Sequence, residues 1–317
     1  MRPNLLIALW CLVILSLHPV SSFAQGSRDT KVVVLRGTVL ITAREDGSEV
    51  KELLRDGTPK ADPRWSPNGK RIVYRIAGQK LQNPKTVANL VVIAADDGSQ
   101  KTIPVMETEA DGSIVAGMRF VDESGWYSNS AVFASGTINP YIAEFRIINV
   151  ESSRVVESYF GTNFVTCWHK GQVAYIPKAQ GVPGRNTNRI EVNGALLYSG
   201  SNDADTMIRN LHWSQDCQRL AFTEGSETGA DFVVLYGTTL EIRRRLPPEV
   251  LQSLTIASIS ESFLLQGAKD ALFYDTAGKS LRLAPEVIER WKQEERERDE
   301  VIKNLGGGFG DWWQPPR

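Results

Sequence analysis

The sequence predicts an all-β fold, a six-bladed β-propeller followed by a C-terminal α-helix and an aromatic tail. Turn-forming residues recur along the chain, near Gly47, Gly98, Ser152, Gly194, Gly237 and Gly278, with spacings of 51, 54, 42, 43 and 41 residues. The segments between these turns have the apolar patterning of short strands, about four to each unit. Repeats of about 40–50 residues with four strands each are typical of propeller blades. We therefore expect the propeller to span residues 31–284.

The clearest unit begins with the sequence PRWSPNGKRIVY at residues 63–74. Pro67 presets the backbone for the second position of a turn, and the Asn-Gly pair after it suits the tight conformations that follow. An aromatic residue precedes this turn and an apolar triplet follows it, which predicts a hairpin with one buried face. A second hairpin turns at Asp-Gly in residues 96–99. The pair of hairpins recurs at 211–246, and weaker copies centre on residues 120–127, 164–176 and 259–265.

The run WSPNGK at residues 65–70, followed by IVY at 72–74 and DDGS at 96–99, resembles the WD-like repeat of TolB-type propellers. The resemblance is strong over residues 63–104 and recognisable at 211–246. It implies the fold but not an activity, because the same repeat serves periplasmic scaffolds, peptidase gating domains and some polysaccharide lyases.

The sequence also departs from these relatives. TolB carries an α/β domain before its propeller, whereas here a strand-like segment at 31–35 follows the N-terminal signal almost directly. Propeller-bearing peptidases carry a hydrolase domain with a Gly-x-Ser-x-Gly motif, which does not occur in this sequence. Neither activity transfers simply to this chain.

Residues 1–24 have the pattern of a secretory signal peptide. Arg2 supplies the positive charge, residues 5–17 are apolar, and Ala24 is a small residue at a suitable cleavage point. An uncleaved membrane anchor is the alternative, but a spanning helix needs about 20 apolar residues. We expect a periplasmic or secreted protein whose mature chain has no transmembrane span.

Charge and residue usage narrow the classes of partner. Without Arg2 the mature chain carries 35 basic and 37 acidic residues, so nothing in its net charge favours nucleic acid or an anionic membrane. Only His169, His212, Cys167 and Cys217 remain as imidazole or thiol groups, too few for a conventional zinc site. We predict no catalytic residues, no metal and no cofactor.

Three polar residues stand directly before the aromatic residue of an innermost strand: Arg64, Arg119 and His212. The innermost strand of a blade lines the central channel, so these side chains could converge there on an anionic or polar ligand. Hydrogen bonding between neighbouring blades is the alternative.

Cys167 and Cys217 fall in the first-hairpin turns of the fourth and fifth blades, which leaves open a disulfide or two separate thiols.

The C-terminal segment departs most from the repeat. Residues 285–305 predict a helix that starts at Pro285 and stops before Gly306. Its apolar residues lie near its two ends, and residues 292–300 are polar, which predicts a helix anchored at both ends and solvated between them.

The Gly/Trp-rich tail at 306–317 follows this helix. Trp291, Trp312 and Trp313 are the candidate partner-docking residues. The tail either docks back on the propeller, inserts into a partner, or helps to close the ring, since the first blade has only three clear strands.

Together these features predict an exported, monomeric, non-catalytic interaction scaffold that binds another envelope or secreted protein. A propeller enzyme of lyase or lactonase type, acting on a polysaccharide or a small ester, is the first alternative. A structural subunit of a cell-envelope complex, docked through the charged helix, is the second.

Overall fold

The computed structural model describes residues 30–77, 88–108, 114–118, 121–139, 142–168, 170–178, 187–201, 203, 205–226, 229–251, 253–267 and 271–313. Strands make up most of this part of the chain, and all of the ladders between them are antiparallel. The predicted signal peptide, Arg119 and His169 lie outside the described residues.

The first strands in chain order are β1 (Lys31–Arg36), β2 (Val39–Arg44), β3 (Lys51–Arg55), β4 (Lys60–Trp65), β5 (Arg71–Ile76), β6 (Asn89–Ala94), β7 (Gln100–Pro104), β8 (Met106–Thr108) and β9 (Ile114–Gly117). Strands β4–β7 form one meander, and β8 pairs only with β9. The middle strands are β10 (Glu123–Trp126), β11 (Ala131–Asn139), β12 (Ile142–Asn149), β13 (Val155–Cys167), β14 (Gln172–Pro177), β15 (Arg189–Val192) and β16 (Ala195–Ser199).

The remaining elements are β17 (Met207–Trp213), β18 (Arg219–Ser226), β19 (Gly229–Tyr236), β20 (Thr239–Arg245), α1 (Pro248–Leu251), β21 (Thr255–Ile259), β22 (Ser262–Gln266), β23 (Ala271–Asp275), β24 (Ser280–Arg282), α2 (Pro285–Asn304) and β25 (Phe309–Trp313). Strands β17–β20 and β21–β24 form two further four-stranded meanders. No helix in the described ranges is long and apolar enough to cross a membrane.

Strands β10–β16 form one seven-stranded sheet, which consists of two four-strand units sharing β13. The change of partner occurs at Gly161, which is in register with Ala143 on β12 and with Pro177 on β14. A Cβ atom at this position would lie 2.4 Å from the carbonyl oxygen of Ile176, closer than real Cβ contacts. Glycine is therefore required where one ladder passes into the next.

Residues 309–313 of the C-terminal tail form β25 and belong to the first sheet, whose strand order is β25-β1-β2-β3. Asp311 on β25 is in register with Val33 on β1, and Trp312 with Val32. Of the three fates considered for the tail, the structure therefore shows docking on the chain itself, as the fourth strand of a sheet that otherwise has three.

An apolar cluster joins each four-strand unit to the next one along the chain. The first two units share a cluster that contains Val33 and Trp65. Equivalent clusters join the second unit to the third, the third to the fourth, the fourth to the fifth and the fifth to the sixth; the last of these contains Phe232 and Phe263. Since these clusters lie between consecutive units, the described core is shared between neighbours, as expected for stacked repeats.

Helix α2 lies at the junction of the last and first units, contacting both β23 and the first sheet. Its C-terminal residues Val301 and Ile302, with the capping Leu305, pack against Val32 and Val34. Residues 293–300 are exposed. The predicted C-terminal helix is confirmed, and its middle is solvated as the polarity of those residues indicated.

Candidate binding site on the inner strands

Four tryptophans share one register position, at or next to the last residue of a strand. Each is in register with the second residue of the next strand in its sheet: Trp65 with Ile72, Trp126 with Val132, Trp213 with Leu220 and Trp312 with Val32. Strand β25 is therefore the counterpart of β4, β10 and β17, although its partner strand lies at the opposite end of the chain.

The residue before each of these tryptophans is in register with the third residue of the partner strand. These residues are Arg64, Gly125, His212 and Asp311. The sequence suggests Arg119 before Phe120 for the third unit, and both residues lie outside the described part of the chain. In the ladder of β10 with β11 this register position is held by Gly125. The turn of this unit is formed by residues 127–130, whose sequence YSNS has neither the proline nor the glycine that marks the turn at 66–69.

Two of the tryptophans hydrogen-bond to the preceding unit in the same way. The indole Nε1 of Trp126 donates to the carbonyl oxygen of Arg64 at 3.0 Å. The indole Nε1 of Trp213 donates to the carbonyl oxygen of Val165 at 3.2 Å, and Val165 stands at the register position of Arg64. Inner-strand hydrogen bonding between units, the alternative considered for these positions, is therefore present.

The side chain of Arg64 reaches β25. Its Nη1 lies 3.2 Å from Oδ1 of Asp311, and the other carboxylate oxygen, Oδ2, accepts a hydrogen bond from the backbone N–H of Trp65 at 2.9 Å. Burial raises the pKa of Asp311, while the Arg64 guanidinium and the Trp65 N–H act in the opposite direction. The Asp311 side chain keeps 22% of its surface exposed, so water still reaches this largely enclosed carboxylate.

A second carboxylate lies in the same region, at the start of β10. Burial raises the pKa of Glu123, the positive charge of Arg64 lowers it, and the negative charge of Asp62 raises it. Asp62 in turn pairs with Arg75. Glu123 nevertheless keeps a solvent-exposed surface.

His212 belongs to β17, in a different unit. Burial lowers the pKa of its imidazole, which favours the neutral form with one donor and one acceptor nitrogen. Arg64, at the same register position of the second unit, pairs with Asp311 on β25.

Cys167 ends β13 and Cys217 lies in the turn after β17, with their Cα atoms 5.9 Å apart and their sulfurs joined as a disulfide. Both residues are buried. Lys170 Nζ donates to the carbonyl oxygen of Cys217 at 3.0 Å, adding a polar contact between the same two units.

The three candidate docking aromatics lie in the C-terminal segment as follows. Trp291 is half-buried on α2. Trp312 is half-buried on β25, and the guanidinium carbon of Arg298 lies 5.8 Å from the centroid of its ring. Trp313 is in register with Lys31 on β1.

The fifth unit carries a polar cavity of about 690 Å³ that the sequence did not reveal. It opens at the end of the strands opposite to the Cys217 turn. Four carboxylates and three guanidinium groups line it: Asp203, Asp205, Glu224, Asp231, Arg209, Arg243 and Arg245. Among the described residues, no three His, Cys, Asp or Glu side chains group as metal ligands would.

Glu224 is the most enclosed of these groups, with 2% of its side chain exposed. It accepts hydrogen bonds from Tyr198 Oη at 2.7 Å, the Ser201 N–H at 2.7 Å and Arg243 Nη2 at 2.6 Å. Burial by itself would raise the pKa of Glu224, but these donors outweigh burial and lower it. The carboxylate is therefore ionised and held in place.

Two glycines make room for this arrangement. A Cβ atom at Gly200 would lie 2.2 Å from Oε1 of Glu224, and one at Gly229 would lie 1.8 Å from Nη2 of Arg245. Sequence reasoning missed the site because its charged residues come from four strands and from the loop before β17, and its glycines resemble ordinary loop residues.

Comparison with known proteins supports the fold and little more. No family model matches the chain, and no curated protein matches it. Among solved structures, the β-propeller domain of the Trilobed protease from Pyrococcus furiosus is similar, with a TM-score of 0.50 and 13% identity over 81% of this chain and 82% of that chain. The fold is a β-propeller.

Other propeller proteins are similar at lower scores. TolB from Acinetobacter baumannii aligns with a TM-score of 0.40 and 16% identity over 80% of this chain and 62% of that chain. An acylaminoacyl peptidase from Pyrococcus horikoshii aligns with a TM-score of 0.45 and 13% identity over 77% of this chain. The propeller spans only 41% of that peptidase, and identities this low concern the fold alone.

Proposed function

We propose that this chain is an exported, non-catalytic, six-bladed propeller that binds another envelope or secreted protein. Six four-strand units and the placement of β25 beside β1 support a ring of six blades. The disulfide between Cys167 and Cys217 supports an oxidising compartment, because such bonds persist mainly outside the cytosol.

The mixed-charge cavity of the fifth unit is the observation that carries the interaction role. Glu224 and Asp231 are already paired with Arg243, while Asp203 and Asp205 stand exposed at the cavity rim. Charges of both signs in one open recess suit a polypeptide, since complementary charges fix the register of a protein partner.

Met207 adds an apolar contact at the same place, 47% exposed beside the charged wall. A flexible thioether adapts to irregular partner surfaces. We assign the recess, rather than the tail aromatics Trp312 and Trp313, as the main docking surface, because β25 completes the first sheet. Arg64 and His212, together with Arg119, stay our candidates for a polar contact nearer the axis.

Photo-crosslinking tests this proposal in cells of the source organism. A crosslinking amino acid placed at Met207 is expected to give a discrete adduct with one envelope or secreted protein. The matched control is placed at Gln218, an exposed turn residue at the opposite end of the same strands. Charge reversal of Asp203 and Asp205 should abolish the adduct. No adduct from position 207, or the same adduct from 218, would contradict the proposal.

A further inference from the structure

One face of the first sheet is covered by a helix, whereas the junctions between consecutive units are covered by a neighbouring sheet. Five apolar clusters join the sheets of consecutive units. A sixth cluster packs Val32 and Val34 of β1 against Val301, Ile302 and the capping Leu305. Within the described residues, none of its members belongs to strands β21–β24. Helix α2 therefore takes the place that a sheet takes at the other junctions.

Strand β1 shows this difference between adjacent residues. Val33 packs in the cluster that contains Trp65 of the second unit. Val32 and Val34 point to the opposite face, because successive side chains of a strand alternate, and they pack against the end of α2. All three valines have 0% of their surface exposed. Equally buried neighbours on one strand are thus covered by a sheet on one side and by a helix on the other.

Helix α2 is held by few buried groups. None of residues 285–304 is buried, and residues 293–300 are exposed. Lys292 pairs with Glu289 of the same helix, and the residue before the helix, Ala284, provides no side-chain cap. The apolar contact with the first sheet comes from the half-buried Val301 and Ile302. Elements with few buried apolar contacts are those that open locally at low free energy.

The C-terminal cap of α2 lies directly on Val34. The Gly307 N–H donates to the carbonyl oxygen of Ile302 at 3.0 Å, which makes Gly307 part of the helix end. A Cβ atom at Gly307 would lie 1.9 Å from Cγ1 of Val34. Detachment of the helix would therefore also remove Gly307 from Val34.

Strand β25 is attached independently of α2. Its backbone pairs with β1 from Phe309 to Trp313, and Asp311 accepts hydrogen bonds from the second unit. Gly308 separates this strand from the helix cap. It is exposed, and a Cβ atom there would meet nothing within 4 Å, so it suits a hinge.

From these contacts we propose that α2 is a displaceable cover, which detaches from the first sheet as a unit, about Gly308, while β25 stays paired with β1. Detachment uncovers Val32 and Val34 without unfolding the sheets. The protein thereby gains an apolar surface beside the junction of its last and first units, and α2 frees its own apolar residues at the same time. The inference does not depend on the partner recess of the fifth unit.

Thiol labelling of the folded mature protein tests the proposal. Cys167 and Cys217 are joined, so a cysteine introduced into the mature chain is its reactive thiol. Val34→Cys and Val33→Cys form a matched pair on the two faces of β1. We expect N-ethylmaleimide to label Val34→Cys about tenfold faster or more, because detachment of α2 exposes residue 34 and leaves residue 33 covered. Low concentrations of urea should change the Val34→Cys rate little, since local detachment exposes little surface.

Substitutions on the helix connect the labelling to α2. Ile302→Ala removes part of the apolar contact and should speed labelling of Val34→Cys about fivefold or more, with the Val33→Cys rate unchanged. Lys303→Ala is the matched control, because Lys303 is the neighbouring residue and is exposed. It should leave both labelling rates as they are.

Circular dichroism and thermal melting establish that each variant is folded before it is labelled. Where Val34→Cys does not fold, amide hydrogen exchange of the unsubstituted protein decides: residues 289–304 should exchange faster than the hydrogen-bonded amides of 309–313. Equal labelling of Val34→Cys and Val33→Cys would overturn the proposal. So would exchange of 289–304 only with global unfolding, or an Ile302→Ala effect that Lys303→Ala reproduces.

Discussion

Arg64 and Asp311 stand at the same register position of neighbouring sheets, 247 residues apart in the chain, with Nη1 and Oδ1 separated by 3.2 Å. Asp311 also accepts the backbone N–H of Trp65. One carboxylate thus joins the last strand of the chain to the second unit, while the backbone ladder joins the same strand to β1. These contacts hold β25 against both the first and the second unit.

Asp311→Ala removes the acceptor for Trp65 N–H and for Arg64. We expect the free energy of unfolding to fall by about 1–3 kcal/mol, because a buried donor then has no partner. Asp311→Asn keeps an oxygen for the Trp65 N–H and should cost less. Urea denaturation measures both variants, and equal stability of Asp311→Ala and the unsubstituted protein would contradict the role assigned to this residue.

The contribution of Asp311 to the stability of the folded protein changes with pH in a known direction. Because burial raises its pKa above 3.8 in the folded protein, the contribution of Asp311 to stability is full below pH 3.8 and declines as pH rises through the folded pKa. The stability of the unsubstituted protein relative to Asp311→Asn should therefore fall between about pH 3.8 and neutrality.

Asp97→Asn is the control, because the contribution of Asp97 to stability changes with pH in the opposite direction. The Ser99 N–H donates to the exposed Asp97 carboxylate at 2.8 Å and lowers its pKa, so that contribution is lost as pH falls. Urea denaturation across the pH range measures both differences. A stability difference for Asp311→Asn that rises with pH would contradict the pKa direction.

Deletion of residues 306–317 removes β25 and uncovers one edge of the first sheet. We expect the melting temperature to fall by about 5–10 °C, since Val32 and Val34 lose part of the cover that keeps them fully buried. Deletion of residues 314–317 alone leaves the strand intact and serves as the control. A long deletion that melts like the short one would show that the strand adds nothing to stability.

The disulfide closes a loop with a sequence separation of 50 residues. Loop-closure entropy predicts a loss of about 2–4 kcal/mol on reduction, or in a variant with both Cys167→Ser and Cys217→Ser. Reductant should lower the stability of the unsubstituted mature protein and leave the double variant unchanged. Thiol titration of the mature protein, unfolded without reductant, should find no free thiol. Two titrating thiols would exclude the bond.

Much of the fold could be predicted from the sequence because each hairpin carries its own local signal. The turn at 66–69 and the turn at 96–99 are marked by proline, asparagine, aspartate and glycine, and both occur in the structure. The fused strand β13 was missed because nothing local distinguishes Gly161 from a loop glycine. What requires it is the close approach of Ile176 on another strand.

The inner-strand site was only partly visible in the sequence. Arg64 and His212 were found because an aromatic residue follows each, but Asp311 precedes Trp312 in the same way and was read as part of a tail. Its partner strand begins at Lys31, so no local pattern could pair them. The position of Gly125 could not be read from the sequence for the same reason. Only the ladder with β11 shows that Trp126 is the aromatic residue that ends β10.

Hydrogen exchange of the backbone amides in β25 tests the central claim most directly. If residues 309–313 close the ring against β1, their hydrogen-bonded amides should exchange only with global unfolding, at the same free energy as the amides of residues 32–35. Exchange of 309–313 at the rate of a free peptide, with 32–35 still protected, would contradict the account.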